Sequence, residues 1–147
     1  MIELNRRPRA EGHLTTAILN TMTIDHLDHL VLTVTDLDRT LAFYQRVLGM
    51  RVETFGDGRQ ALRFGQQKIN LHQVGHEIDP KAHRPTPGSA DLCFISATPV
   101  AQLVQELAAQ QVPLELGPVE RTGATGRICS VYFRDPDHNL LEVSNYL

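Results

Sequence analysis

The sequence predicts an α+β fold made of two βαβββ modules whose mixed sheets curl around a cleft. Strand-like and helix-like segments follow one another in the same order twice, the two runs superpose, and a stretch rich in proline and glycine separates them. One module of roughly 60 residues would leave a sheet face uncovered, so the two are expected to share a core or a cleft.

The first module covers 23–74. Residues 27–34 (LDHLVLTV) are apolar and β-branched and stop before Asp36, as a strand does. Asp36 is placed to cap a helix. Leu37, Leu41, Tyr44 and Leu48 then recur at three- and four-residue spacings along one face. Gly49 stands where a left-handed residue closes a helix. Three short strands are expected at 50–55, 60–64 and 68–73, separated by Gly56-Asp57-Gly58 and Gly65. Residues 75–89 (GHEIDPKAHRPTPGS) read as a linker, with His76 and His83 solvated.

The second module, 90–147, repeats the order. A strand at 92–96 precedes a helix at 99–110 and a strand at 112–116. Strands at 128–133 and 140–145 then flank the turn Asp135-Pro136-Asp137-His138-Asn139, where His138 reads as turn chemistry with positive φ. Sliding one half onto the other without a gap sets His29 on Asp91, Val31 on Cys93, Leu41 on Leu103 and Val52 on Leu114. A slightly longer slide sets Ile69 on Leu141, Asn70 on Glu142 and Leu71 on Val143. Longer loops in the second half absorb the difference.

Residues 1–22 differ from the rest. The opening MIELNRRPRAEG is charged and lacks the apolar run of roughly 7–15 residues that an export signal needs. It reads as an appended arm, the domain proper covering 23–147. At 147 residues, 41% apolar and 21% charged, the chain can build a core without staples. A net charge of -3, no Trp and no basic run among aromatics give no reason to expect nucleic acid. No stretch approaches the roughly 20 apolar residues that span a bilayer. Cys93 and Cys129 sit in apolar runs without a CxxC, so two buried thiols and a reducing, cytoplasmic setting are expected.

Strand alternation places the polar residues. His29, Val31 and Thr33 share one face, while Leu30, Leu32 and Val34 share the face under the helix. By the repeat, Asp91 lies on the face of His29, and Asn70 with His72 corresponds to Glu142 with Ser144. Four positions are thereby directed toward one place: 29, 70 or 72, 91 and 142. Imidazole nitrogen and carboxylate oxygen converging from separate strands suit one divalent ion, among Ni, Zn, Mn, Co or Fe. Glu142, between Leu141 and Val143, is the most pointed member, since a carboxylate within a buried strand needs a partner. His26, three residues before His29, falls on the opposite face.

The segments LDHLVLTVTDLDRTLAFYQRVLGMRV and VYFRDPDHNLLEVSNY resemble the two signatures of the vicinal oxygen chelate superfamily, which holds glyoxalases, bleomycin-resistance proteins and extradiol dioxygenases. The likeness covers 24–146 and is nearest the glyoxalase-domain-containing protein 5 type. It implies paired βαβββ modules around a divalent metal that chelates vicinal oxygens. By motif, His29 matches the first ligand of the family and Glu142 the last. Asp91 stands where glyoxalases carry His. Asn70 stands in register with their Glu, leaving His72 as a possible substitute. Thr33 replaces an Arg that helps hold glutathione, which moves the expectation away from glyoxalase I. The resemblance further implies a homodimer, with His29 and Asn70 or His72 from one chain and Asp91 and Glu142 from the other.

The expected activity is a metal-dependent lyase or isomerase acting on a small oxygenated metabolite. Glu142 would move the proton, Lys68, Arg121, Arg127 and the stretch 122–126 would cradle an anionic substrate, and Asn70 is a further candidate to contact it. Two rival expectations stand beside it. One is an Fe(II) extradiol-type dioxygenase using His29, His72 and Glu142. The other is a metal-free, ligand-sequestering protein of the bleomycin-resistance kind.

Overall fold

A computed structural model describes residues 21–147, so the arm expected over 1–22 lies outside the described residues apart from its last two positions. The elements run β1 (His29–Val34), α1 (Leu37–Leu48), β2 (Arg51–Phe55), β3 (Arg59–Phe64), β4 (Gln67–Gln73), β5 (Asp91–Ile95), α2 (Val100–Ala109), β6 (Leu116–Thr122), β7 (Arg127–Arg134) and β8 (Leu140–Tyr146). They form two four-stranded sheets of identical plan, β1-β4-β3-β2 and β5-β8-β7-β6. In each, the first strand pairs in parallel with the last, and the other pairings are antiparallel.

The local signals for α1 hold. The Asp36 side chain accepts the Arg39 N–H at the N-terminus, and Gly49 ends the helix at φ 64°. Tyr44 is fully buried, with Leu37, Leu41 and Leu48 packed at the core margin. α2 runs between Pro99 and Gln110 without a side-chain cap.

Two boundaries differ from expectation. β1 begins at His29, because residues 23–28 are exposed and irregular. The second strand of module two was expected at 112–116, and it runs instead from Leu116 to Thr122. Gly117-Pro118 reads as a break in sequence. The register slips between Leu116 and Val119, and β6 is an edge strand paired only with β7. A bulge on an edge is where a strand tolerates proline, whose missing N–H interrupts no inner ladder.

Leu32, Val34, Leu62, Ile69 and Leu71 from the first sheet join Val131, Phe133, Leu141 and Val143 from the second in one buried cluster. Phe64 and Phe94 pack edge to face across the modules, with centroids 5.3 Å apart. Since both helix-side faces share this core, the opposite faces are turned away from it. They leave apolar side chains in the open: Val31 at 45%, Ile95 at 53% and Leu116 at 46% exposure.

The turn 135–139 locks the modules together. Asp135 accepts from the Tyr44 hydroxyl at 2.8 Å, from Asn139 Nδ2 at 2.7 Å, and from the Asp137 and Asn139 backbone N–H groups at 2.9 Å each. The Thr35 N–H donates to Asp137 Oδ2, Arg39 donates to the Pro136 carbonyl, and the Ala90 N–H donates to Asn139 Oδ1. His138 turns the chain at φ 65°, as its place in the turn implied.

Candidate metal and substrate site

The pairing registers lay out the open face of the first sheet in rows. His29 stands level with Lys68, then Arg63, then Arg51. Val31, Asn70, Ala61 and Glu53 form the next row, and Thr33 pairs with His72 beyond it. Glu53 and Arg63 form an ion pair that keeps the Glu53 carboxyl below its usual range. Lys68 Nζ lies 3.8 Å from the Phe55 ring centroid, and the Arg59 guanidinium lies 4.8 Å from the same ring. His29 Nδ1 is 2.8 Å from Asp28 Oδ2, a hydrogen bond that lowers the Asp28 pKa. Asn70 and His72 are only 5% and 6% exposed, yet Asn70 Oδ1 and His72 Nε2 have no hydrogen-bond partner among the described residues.

The open face of the second sheet centres on Glu142, flanked by Cys93 on β5 and Tyr132 on β7. Ser130 Oγ donates to Glu142 Oε1 at 2.5 Å, and Ser144 Oγ approaches the same oxygen at 3.4 Å. Both serines are fully buried and stand 2.8 Å apart. Glu142, Cys93, Arg121 and Tyr132 line a cleft of about 380 Å³, whose rim includes Thr122 and Gly123 of the β6–β7 hairpin. Burial, and then the hydrogen bond to Glu142, raise the Tyr132 hydroxyl pKa. The Arg121 guanidinium lies 5.8 Å from the Tyr132 ring.

The predicted residues thus fall into two groups. His29, Lys68, Asn70 and His72 share the first face; Asp91, Glu142 and Arg121 share the second. Among the described residues of one chain, no three His, Cys, Asp or Glu side chains gather closely enough to hold a metal. Arg127 pairs in register with Thr122, one step out of phase with Arg121, and is tied to Glu120 at 2.8 Å. It therefore points to the other side of the sheet from the Glu142 cleft.

Cys93 corrects an expectation. It is exposed, while Cys129 is half-buried against the core. Cys93 lies two residues from Asp91, so strand alternation carries it to the open face, 3.6 Å from Ser144 Oγ. Desolvation first, and then the Glu142 charge, push its thiol pKa up. Sequence reasoning also missed Ser130 and Ser144. Ser144 was visible as the i+2 neighbour of Glu142, but Ser130 reaches Glu142 only through the β7–β8 register.

The model of the glyoxalase/bleomycin resistance protein/dioxygenase superfamily matches residues 26–143. Virulence protein STM3117 of Salmonella typhimurium (strain LT2) is 58% identical over 126 residues, covering 86% of this chain and 88% of the relative. Its crystal structure matches at a TM-score of 0.85, covering 86% of this chain and 100% of that one. The glyoxalase domain-containing protein RDO1 of Mycosarcoma maydis is 53% identical over 125 residues, covering 85% of this chain and 70% of the relative. An integron cassette protein from the mobile metagenome of V. cholerae matches at 57% identity and a TM-score of 0.85, covering 86% and 99% of the two chains. No helix among the described residues is long and apolar enough to cross a membrane. The chain belongs to the glyoxalase/bleomycin resistance protein/dioxygenase superfamily.

Proposed function

We propose that the protein is a divalent-metal-dependent lyase or isomerase of glyoxalase type, acting on a small oxygenated metabolite at a site shared between two copies. The observation that carries this reading is Asn70 Oδ1. It is a buried acceptor without a donor among the described residues, on the strand position that the repeat pairs with Glu142. A cation satisfies such an oxygen, and leaving it bare costs about 1–3 kcal/mol. The donor set is then His29, Asn70, Asp91 and Glu142. One imidazole and three oxygens suit a hard or borderline divalent ion such as Mn²⁺, Co²⁺ or Zn²⁺. Asp28 suits the arrangement, because its hydrogen bond to His29 Nδ1 orients the ring and leaves Nε2 to face an ion.

Register favours Asn70 over His72 as the second ligand. Lys68 stands level with His29, so His72 lies four residues further along β4, roughly 13 Å. A shared ion would need both imidazoles stretched toward one another in line. Side chains standing perpendicular to one sheet do not do this. Asn70 is only two residues along. The same spacing weighs against an extradiol site built on His29, His72 and Glu142.

A divalent ion bound there would polarise two adjacent substrate oxygens. This chain's own contribution is the base. Ser130 and Ser144 converge on Oε1 of Glu142, which fixes the carboxylate plane, so that Glu142, when released from the ion, would take and return a substrate proton through Oε2. Arg121 and Tyr132 border the same cleft and would orient the substrate. Within one chain the two faces look away from a common core, so the four donors meet only when a second copy brings its face opposite. The exposed Val31, Ile95 and Leu116 are what such a copy would cover.

Metal titration of the purified protein tests the reading. Mn²⁺ or Co²⁺ should bind, and His29→Ala and Glu142→Gln should each lower affinity at least about 100-fold. A dimer mixed from the two variants should regain one intact site. Absence of affinity for any divalent ion in the unaltered chain would refute the enzyme reading and favour a sequestering role.

A further inference from the structure

The linker between the modules is part of the first face. Pro80, Lys81, Ala82 and Pro85 line, with Val31, Thr33 and His72, a cavity of about 240 Å³. We propose that this cavity is a carboxylate subsite, in which Lys81 pairs with the anion and His72 Nε2 donates a hydrogen bond to it.

Three observations support this. His72 Nε2 is a buried polar atom without a partner among the described residues, and a ligand oxygen would satisfy it. The charged groups facing His72 are Arg59, Lys81 and Glu77, which leaves positive charge in excess. Glu77 pairs with Lys81 only at long range. Its carboxylate is satisfied first by its own and the Gly75 backbone N–H groups, and Lys81 Nζ stands off at 3.8 Å. The ammonium is thus held near the cavity with hydrogen-bonding capacity to spare.

The remaining wall defines the rest of the ligand. Val31, Pro80, Ala82 and Pro85 are apolar, and the volume equals about eight water molecules at ~30 Å³ each. That suits a compact carboxylate with an apolar flank, of the size of benzoate. His72 lies two residues beyond Asn70 on the same face, roughly 7 Å along the strand. A substrate whose vicinal oxygens lie at Asn70 would reach the cavity with a carboxylate on a neighbouring carbon. The subsite rests on the proposed function only in naming that carboxylate a substrate.

The test uses full-length protein freed of metal by EDTA, titrated with benzoate and with benzamide as a neutral match, while the His72 imidazole ¹⁵N resonances are followed. Benzoate should shift them saturably, and benzamide should bind at least about tenfold more weakly. Lys81→Ala, a change in an exposed segment, should weaken benzoate about tenfold, and Lys81→Arg should restore most of it. Equal binding of the amide, no shift of His72, or an unchanged affinity in Lys81→Ala would each overturn the proposal and leave ordered water as the occupant. Because no metal is present, failure here leaves the metal reading intact. Benzoate binding by a chain without metal affinity would remove only the substrate assignment.

Discussion

Replacing Tyr44 by Phe removes one hydroxyl from the joint between the modules. That hydroxyl donates to Asp135 Oδ2 at 2.8 Å, with Tyr44 fully buried and Asp135 only 4% exposed. A hydrogen bond to a charged group contributes about 1.5–3 kcal/mol net. Three other donors keep hold of the Asp135 carboxylate, which places the loss in the lower half, about 1.5–2 kcal/mol. The ring keeps its edge-on contact with Phe43, centroids 5.6 Å apart, so no cavity term is added. For a domain of this size the melting temperature should fall roughly 4–8 °C. Urea unfolding should show a lower midpoint with an unchanged m-value. Burial and then Asp135 push the Tyr44 pKa far above its usual value, so the loss should be the same across neutral and mildly alkaline pH. A loss below about 0.5 kcal/mol would refute the claim that this bond ties α1 to the second module.

Two further outcomes follow from the second sheet. At Gly117, with φ 113°, an added Cβ would lie 2.4 Å from the Ser130 carbonyl oxygen and 3.0 Å from Val131 Cα, both backbone atoms. Gly117→Ala should therefore cost about 2 kcal/mol or more; a wild-type melting curve would contradict this. Arg134 clasps Glu115 through Nε at 2.6 Å and Nη2 at 2.8 Å and holds its pKa below 4.5. Because the folded pKa is the lower one, the pair's stabilisation is present above pH 4.5 and fades as pH falls through the lowered value. Glu115→Gln should flatten the stability profile in that acidic window. An unchanged acid slope on denaturant titration would count against the pair.

Much of this molecule is legible one segment at a time. Asp36, the Leu37–Leu41–Tyr44–Leu48 stripe and Gly49 mark α1 because capping and periodicity act over a few residues. β6 was misplaced because Gly117-Pro118 looks like a break unless the strand is known to be an edge, and edge position is set by neighbours distant in sequence. Cys93 looked buried because its neighbours are apolar, although alternation from Asp91 already implied the open face. The stretch 75–89 read as a spacer, yet its Pro80, Lys81 and Pro85 form a wall of the His72 cavity. Nothing local signals that contact.

The duplicated βαβββ order, the α1 termini, the turn at His138 and the face on which each polar strand residue stands follow from short-range physics, and the chain alone specified them. The partners of those residues did not follow. Asp135 meets Tyr44, Ser130 holds Glu142, and Asn70 and His72 stand two and four residues along β4 from the row of His29 only once the strands are in register. A one-residue slip would turn each of them to the opposite face. Register and module packing are fixed by the shared apolar core, a sum over distant residues that no single segment contains.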